Sequence, residues 1–200
     1  MVSILSPQIT EATEPRTWRW TRDQYYQMAE LGWFNDKRVE LINGEIIEMS
    51  PMNSRHATAV TLVSDMLRSV FSTGYFVRIQ EPLDLGEFGQ PEPDVAIVSG
   101  RVRDYTEAHP TAGALVVEVS DTTLRFDSTT KVSLYATANI PEYWIVNLLD
   151  NQVEVYRRPA PRPEQPLGFG YMDLIIHRVP EIISPLAVAQ AAIAVADLLP

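Results

Sequence analysis

Apolar and polar positions change rhythm several times along the chain, and each change marks an element. Thr21-Arg-Asp-Gln24 fits a capping box, with Gln24 at the third helical position. The helix it opens runs to about Leu31, and Gly32 supplies the stop. Val39-Glu40-Leu41-Ile42 and Glu45–Met49 flank Asn43-Gly44, the strongest short signal for a hairpin. Asn53 or Ser54 then caps a helix to about Ser72, with Val60, Val63, Leu67, Val70 and Phe71 at near-helical spacing. Beyond Gly74, Tyr75–Gln80 and Asp94–Val98 read as strands, followed by a polar loop carrying Arg101, Arg103, Asp104 and Glu107. Ala114–Val119 is a nearly unbroken apolar run, the signature of a central strand covered on both faces. Asp127 or Ser128 opens a helix to about Ala138. Tyr143–Val146 and Gln152–Tyr156 form a second hairpin across Asp150-Asn151.

The remainder is less regular. Four prolines between 159 and 166 predict a loop, Leu174–His177 a weaker strand, and Val195–Leu199 a last helical turn. No internal repeat occurs. Residues 1–16 carry Ser, Thr, Glu and Pro and read as a tail, which leaves 17–200 as a single domain. The order of elements predicts an α+β, or mixed α/β, core. Its one crossover helix lies between Ala114–Val119 and Glu142–Val146.

Composition narrows the chemistry. Of the 200 residues 46% are apolar and 21% charged, values of an ordinary folded protein. There is no cysteine, which removes disulfides, thiolate nucleophiles and Cys-ligated metals. The three histidines, His56, His109 and His177, are far apart, so any metal site must be oxygen-rich and suited to a hard ion. The formal net charge of −10 argues against passive, non-specific binding to nucleic acid, though not against a local basic groove. No apolar run reaches the roughly 20 residues of a membrane span. The N-terminus has no secretory pattern, so a cytoplasmic protein with no membrane contact is expected. Walker, Gly-x-Gly-x-x-Gly, His-Glu-x-x-His and Gly-x-Ser-x-Gly motifs do not occur.

Glu118 then demands an explanation. It sits in the apolar run Leu115-Val-Val-Glu-Val119, and an unpaired buried carboxylate costs several kcal/mol even after relaxation. It must reach solvent at the strand end, be protonated, meet a cation or bind a metal. Asp94 opens another apolar strand after Pro93. It is either ordinary turn chemistry or the second carboxylate of a pair aimed at one magnesium or manganese ion. Lys131, one of only two lysines, stands four residues after Asp127. It either pairs with Asp127 along the helix or leans from the edge of the face formed with Leu134, Tyr135 and Ala138 toward the strand ends. There it would orient a water or stabilise a developing anion.

Taken in order, Pro93-Asp94, Val117-Glu118-Val119-Ser120, Asp127-Ser-Thr-Thr-Lys131, Tyr135-Ala136 and Ile140-Pro-Glu-Tyr-Trp-Ile-Val146 resemble the Uma2 family. Its members are restriction-endonuclease-like proteins of the PD-(D/E)XK nuclease superfamily. Val39–Glu45 and His56 extend the match, which covers roughly residues 20–185. The resemblance implies a mixed sheet with flanking helices and a site for metal-dependent phosphodiester hydrolysis of DNA. Asp94 and Glu118 would be the magnesium or manganese ligands, with Glu40 as a supporting acid. The superfamily pattern places a lysine two residues after the second acid, where this chain has Ser120. Lys131 on the next helix would take over that role as catalytic cation. By the same analogy His56, Gln80 and Ser120 would line the pocket, and Arg125 would meet phosphate. Read as residues alone, Glu40 can equally pair with Arg38 or Arg78 on a hairpin face, and His56 and Arg125 can be surface residues.

Two functions follow. One is a magnesium- or manganese-dependent endonuclease acting on DNA. The other is a catalytically inactive module that keeps the nuclease scaffold for interaction or regulation. The retained Asp94, Glu118 and Lys131 favour the first; Ser120 and the charge of −10 favour the second. A homodimer is expected, with the N-terminal segment contributing. Trp18, Trp20 and Trp33 flank a short first helix that cannot bury three indoles within itself, so they must pack on the hairpin of residues 39–49, on the C-terminal segment or on a second chain. Tyr143, Trp144 and Tyr156 supply further rings for an interface or fill the core, the core being the expectation for Trp144.

Overall fold

The computed structural model describes residues 15–200. The expected tail therefore lies outside the described residues except for Pro15 and Arg16, which are exposed and form neither helix nor strand.

α1 (Arg22–Glu30) begins at Thr21, whose hydroxyl accepts from the Gln24 backbone N–H while the Gln24 side chain accepts from Thr21 N–H. β1 (Val39–Ile42) and β2 (Glu45–Glu48) pair as an antiparallel hairpin. Asn43 and Gly44 both adopt positive φ at its turn, the geometry that matches the twist of a two-residue hairpin. α2 (Ser54–Val70) is capped by Asn53, whose side chain accepts from His56 N–H.

A six-stranded sheet follows, in the order β3-β4-β5-β6-β7-β8. Its strands are β3 (Tyr75–Ile79), β4 (Val95–Ser99), β5 (Leu115–Ser120), β6 (Glu142–Asn147), β7 (Gln152–Pro161) and β8 (Phe169–Arg178). All neighbours are antiparallel except β5 and β6. That parallel pair needs a crossover, and a helical rod provides it: α3 (Leu124–Phe126), a π-turn over Asp127–Lys131, and α4 (Val132–Thr137). The short strands β9 (Ile182–Ile183) and β10 (Ile193–Ala194) pair beside the sheet, and a 3₁₀ turn spans Val195–Leu198.

Alternation along β5 sorts the core into two layers. Val117 and Val119 join α2 residues Val63 and Leu67 on one face of the sheet. Val116 joins Val132, Tyr135 and Tyr143 on the other, under the crossover rod. Every residue of β5 is buried, as its apolar run predicts, and Glu118 and Ser120 share the crossover face with Val116.

The structure changes three expectations. The crossover helix starts at Leu124 rather than at Asp127. The proline-rich stretch is not all loop: β7 extends to Pro161 and β8 begins at Phe169, so a long hairpin replaces the weak strand at Leu174–His177. Beyond Arg157 β7 has only β8 as a neighbour, so half of its N–H groups need no ladder partner and Pro159 and Pro161 are tolerated there. Finally, Tyr143, Trp144 and Tyr156 are buried in the core. Trp20 packs on the β1–β2 hairpin with Tyr25 and Leu41, whereas Trp18 and Trp33 stay 66% and 62% exposed.

Candidate active site

The register of β4 on β5 builds the centre of the site. Val95 faces Val117, so one further step outward sets Asp94 beside Glu118 on the same face. The contacts are reciprocal. Asp94 N–H donates to Glu118 Oε2 at 3.2 Å, and Val119 N–H donates to Asp94 Oδ2 at 2.9 Å. Both carboxylates are thus held by backbone groups where the ladder ends.

The crossover rod delivers the cation. Lys131 closes the π-turn, and its ammonium donates to Glu118 Oε1 at 2.8 Å and lies 3.0 Å from Glu40 Oε2. Glu40 arrives from β1, whose alternation points Glu40 and Ile42 toward the sheet while Val39 and Leu41 pack with Tyr25. Its approach to Lys131 lacks hydrogen-bond geometry, so both Glu40 carboxylate oxygens are buried without a hydrogen-bond partner in the protein. Neither simpler pairing from sequence holds. Glu40 meets Lys131 rather than Arg38 or Arg78, and Lys131 turns away from Asp127. Asp127 Oδ2 instead accepts from Ser120 Oγ and Thr123 Oγ1, both at 2.6 Å. Ser120 is therefore buried in a clasp that fixes the π-turn, behind the site rather than lining it.

His56 and Gln80 take up flanking positions. His56 Nε2 lies 3.2 Å from Asp94 Oδ1, and Gln80 Nε2 donates to the same oxygen at 3.1 Å. Arg125 is exposed on the rod and does not line the cleft. Sequence reasoning missed Tyr135 as a site residue. Its hydroxyl donates to Glu118 Oε1 at 2.7 Å, and its place one turn after Lys131 was the available signal. The cleft over the cluster has a volume of about 60 Å³, room for a few waters. Arg38, Asn53, Glu92 and Asp121 also line it.

The electrostatics follow from crowding. Burial drives the Glu118 carboxyl up to about 8, opposed by Lys131 and reinforced by Asp94, Asp127 and Glu40. Lys131 goes the other way: burial would lower it, but Glu118, Glu40 and Asp127 hold it well above the usual lysine range. The two directions are compatible. Lys131 stays charged, and the proton that several carboxylates compete for rests on Glu118. Asp94 is also pushed up by burial, yet contacts from His56, Val119 N–H and Gln80 outweigh this and leave it below the usual range.

The fold family implies a divalent metal. Among the described residues no three acid or imidazole side chains are gathered closely enough to cage an ion. The donor chemistry nevertheless fits a hard cation. Asp94, Glu118 and Glu40 present only oxygens, and the Glu40 oxygens are left without hydrogen-bond partners.

A mixed sheet with helices on both faces, its one parallel pair bridged by a crossover rod, is a restriction-endonuclease-like fold. The chain belongs to the Uma2 family, described as "Putative restriction endonuclease", whose model matches residues 22–192. A similar solved structure is "a putative nuclease belonging to DUF820" from Anabaena variabilis. It shares 14% identity over 89% of this chain and 96% of that chain, with a TM-score of 0.65. No curated protein matches the sequence. Among the described residues no helix is long and apolar enough to cross a membrane.

Proposed function

We propose that this protein is a metal-dependent endonuclease that hydrolyses phosphodiester bonds in DNA. One observation carries the reading: two buried carboxylates, Glu40 on β1 and Glu118 on β5, converge on the ammonium of Lys131, and Asp94, just before β4, is joined to Glu118 through its backbone N–H. Asp94 and Glu118, with Glu40 behind them, would hold magnesium or manganese. When bound, such an ion neutralises phosphate charge and makes a water molecule more acidic. The chain's own groups do the rest. His56 and Gln80 hold Asp94 in its ionised form and orientation. Tyr135 fixes the Glu118 carboxyl from the side opposite the strand. Lys131 supplies a fixed positive charge at the place where an anion develops. The homodimer expected from sequence remains part of this reading.

Manganese calorimetry combined with a plasmid-nicking assay tests it. Wild type is expected to bind manganese and to nick plasmid only with magnesium or manganese present. Asp94→Asn should lose at least ten-fold in metal affinity and should not nick. Lys131→Met should bind metal without nicking. Nicking that survives Asp94→Asn overturns the proposal. A second reading, the inactive scaffold, is favoured by one feature: among the described residues the one arginine lining the cleft, Arg38, already faces Glu92 at 3.5 Å. Metal binding without cleavage of DNA or RNA by wild type would select that reading.

A further inference from the structure

Of the fifteen large apolar side chains exposed among the described residues, seven fall between 169 and 182: Phe169, Met172, Leu174, Ile175, Ile176, Val179 and Ile182. All but two of them lie on β8, the outer strand of the sheet. A ten-residue edge strand with apolar side chains on both faces is unusual in a monomer, because its unpaired N–H and C=O groups are a template for another strand. The opposite edge differs: the side chains of β3 are buried or half-buried.

We propose that β8 pairs antiparallel with β8 of a second copy, centred on Ile175, so that two six-stranded sheets become one continuous sheet. Hydrogen-bond parity restricts the register, and charge selects within it. On an edge strand the residues whose N–H and C=O point outward alternate, and opposed residues in an antiparallel pair must be of the same kind. About a two-fold axis this requires one residue to face its own copy. Centring on Ile175 uses Met172 to Arg178 completely. Leu174 then faces Ile176 of the second copy, Ile175 faces Ile175, and Asp173 faces His177. The last pair favours a second copy over an unrelated strand. Asp173 is bonded within its own chain to Arg158, and His177 to Glu181 through Nδ1; as an imidazolium His177 has its Nε2–H left to donate to the opposed carboxylate. A centre two residues earlier, at Asp173, would oppose like charges. The exposed Trp18 and Trp33 flank a helix and carry no free strand edge, so the β8 edge, not the N-terminal segment, is assigned the contact.

The absence of cysteine makes a direct test possible. Wild type at tens of micromolar should sediment at twice the 22.5 kDa chain mass. Under mild oxidation Ile175→Cys should give a disulfide-linked dimer rapidly. Asp173→Cys alone should not, because its copies would lie about four strand positions, roughly 13 Å, apart. The double variant Asp173→Cys/His177→Cys should cross-link again. A 22.5 kDa species for wild type overturns the proposal. So does Ile175→Cys linking no faster than the exposed control Leu149→Cys, or Trp18→Cys linking in its place.

Discussion

Lys131 is the residue on which the cluster balances. It is 1% exposed and faces two acids, so removing it strands the Glu40 carboxylate without a counter-charge in a dry place. Breaking such a buried group of charges costs about 3–5 kcal/mol. Lys131→Met should therefore lower the urea midpoint strongly, and adding Glu40→Gln should recover part of the loss. Glu118→Gln is expected to behave differently, staying within about 1 kcal/mol of wild type, because a carboxyl that already holds its proton loses little on becoming an amide. The same shift gives a sign in pH. Burial pushes folded Glu118 up to about 8 from the 4.5 usual for a glutamate, so between those limits the folded state holds a proton the unfolded state has lost. Metal-free wild type should thus lose stability as pH rises from about 5 to 8, whereas Glu118→Gln should be nearly flat over that window. Thermal melts in matched buffers compare the two. Asp94, with its lowered value, contributes the opposite slope, losing its stabilisation only as pH falls below 3.8.

At the scale of elements, the hairpin that presents Glu40 depends on one glycine. Gly44 has a φ of +82°, and a Cβ there would lie 2.7 Å from Cβ of Arg19. Left-handed backbone costs a side-chain-bearing residue about 1–2 kcal/mol before any clash, so Gly44→Ala should lose at least that much in urea unfolding. The fluorescence of Trp20, packed on the same hairpin, should change with it. Element existence was legible in the sequence wherever a local rule governed: the capping box at Thr21, Asn43-Gly44, the apolar run of β5. The long β7–β8 hairpin was not, because Pro159 and Pro161 signal a loop unless it is known that β6 has already ended. The site was legible in its members, Asp94, Glu118, Lys131 and Glu40, but not in its wiring. Asp127 seemed the natural mate for Lys131 at four residues' spacing. Only the π-turn, with Val132 N–H reaching Asp127 C=O, shows why Asp127 is held by Ser120 and Thr123 and the lysine turns inward.

Over the whole molecule, charge limits how nucleic acid can be held. Ten of the sixteen Lys and Arg side chains already have acid partners within 4 Å among the described residues. Few are left to neutralise phosphates, and the net charge of −10 repels them at distance. If about one to three phosphates are contacted, log affinity for duplex DNA should fall with log salt at a slope no steeper than about −3. Fluorescence anisotropy in calcium, across a salt series, measures it. A steep slope would reveal a basic surface that the ion-pair pattern does not suggest.

The π-turn of the crossover rod has a consequence for how this site can be lost or moved. Its five residues occupy a wider loop than an α-turn, so the rod contains a fixed phase offset between α3 and α4. Each residue of an α-helix advances the direction of its side chain by about 100°. Deleting one residue between Asp127 and Lys131 would let the turn relax to α geometry. α4 and Lys131, which directly precedes it, would keep their packing on the sheet, while Asp127 and the residues before it are re-indexed by one position. The clasp of Asp127 with Ser120 and Thr123 is therefore tuned by chain length as well as by identity, and a single-codon deletion in the rod would unfasten it while Glu40, Asp94 and Glu118 stayed where they are.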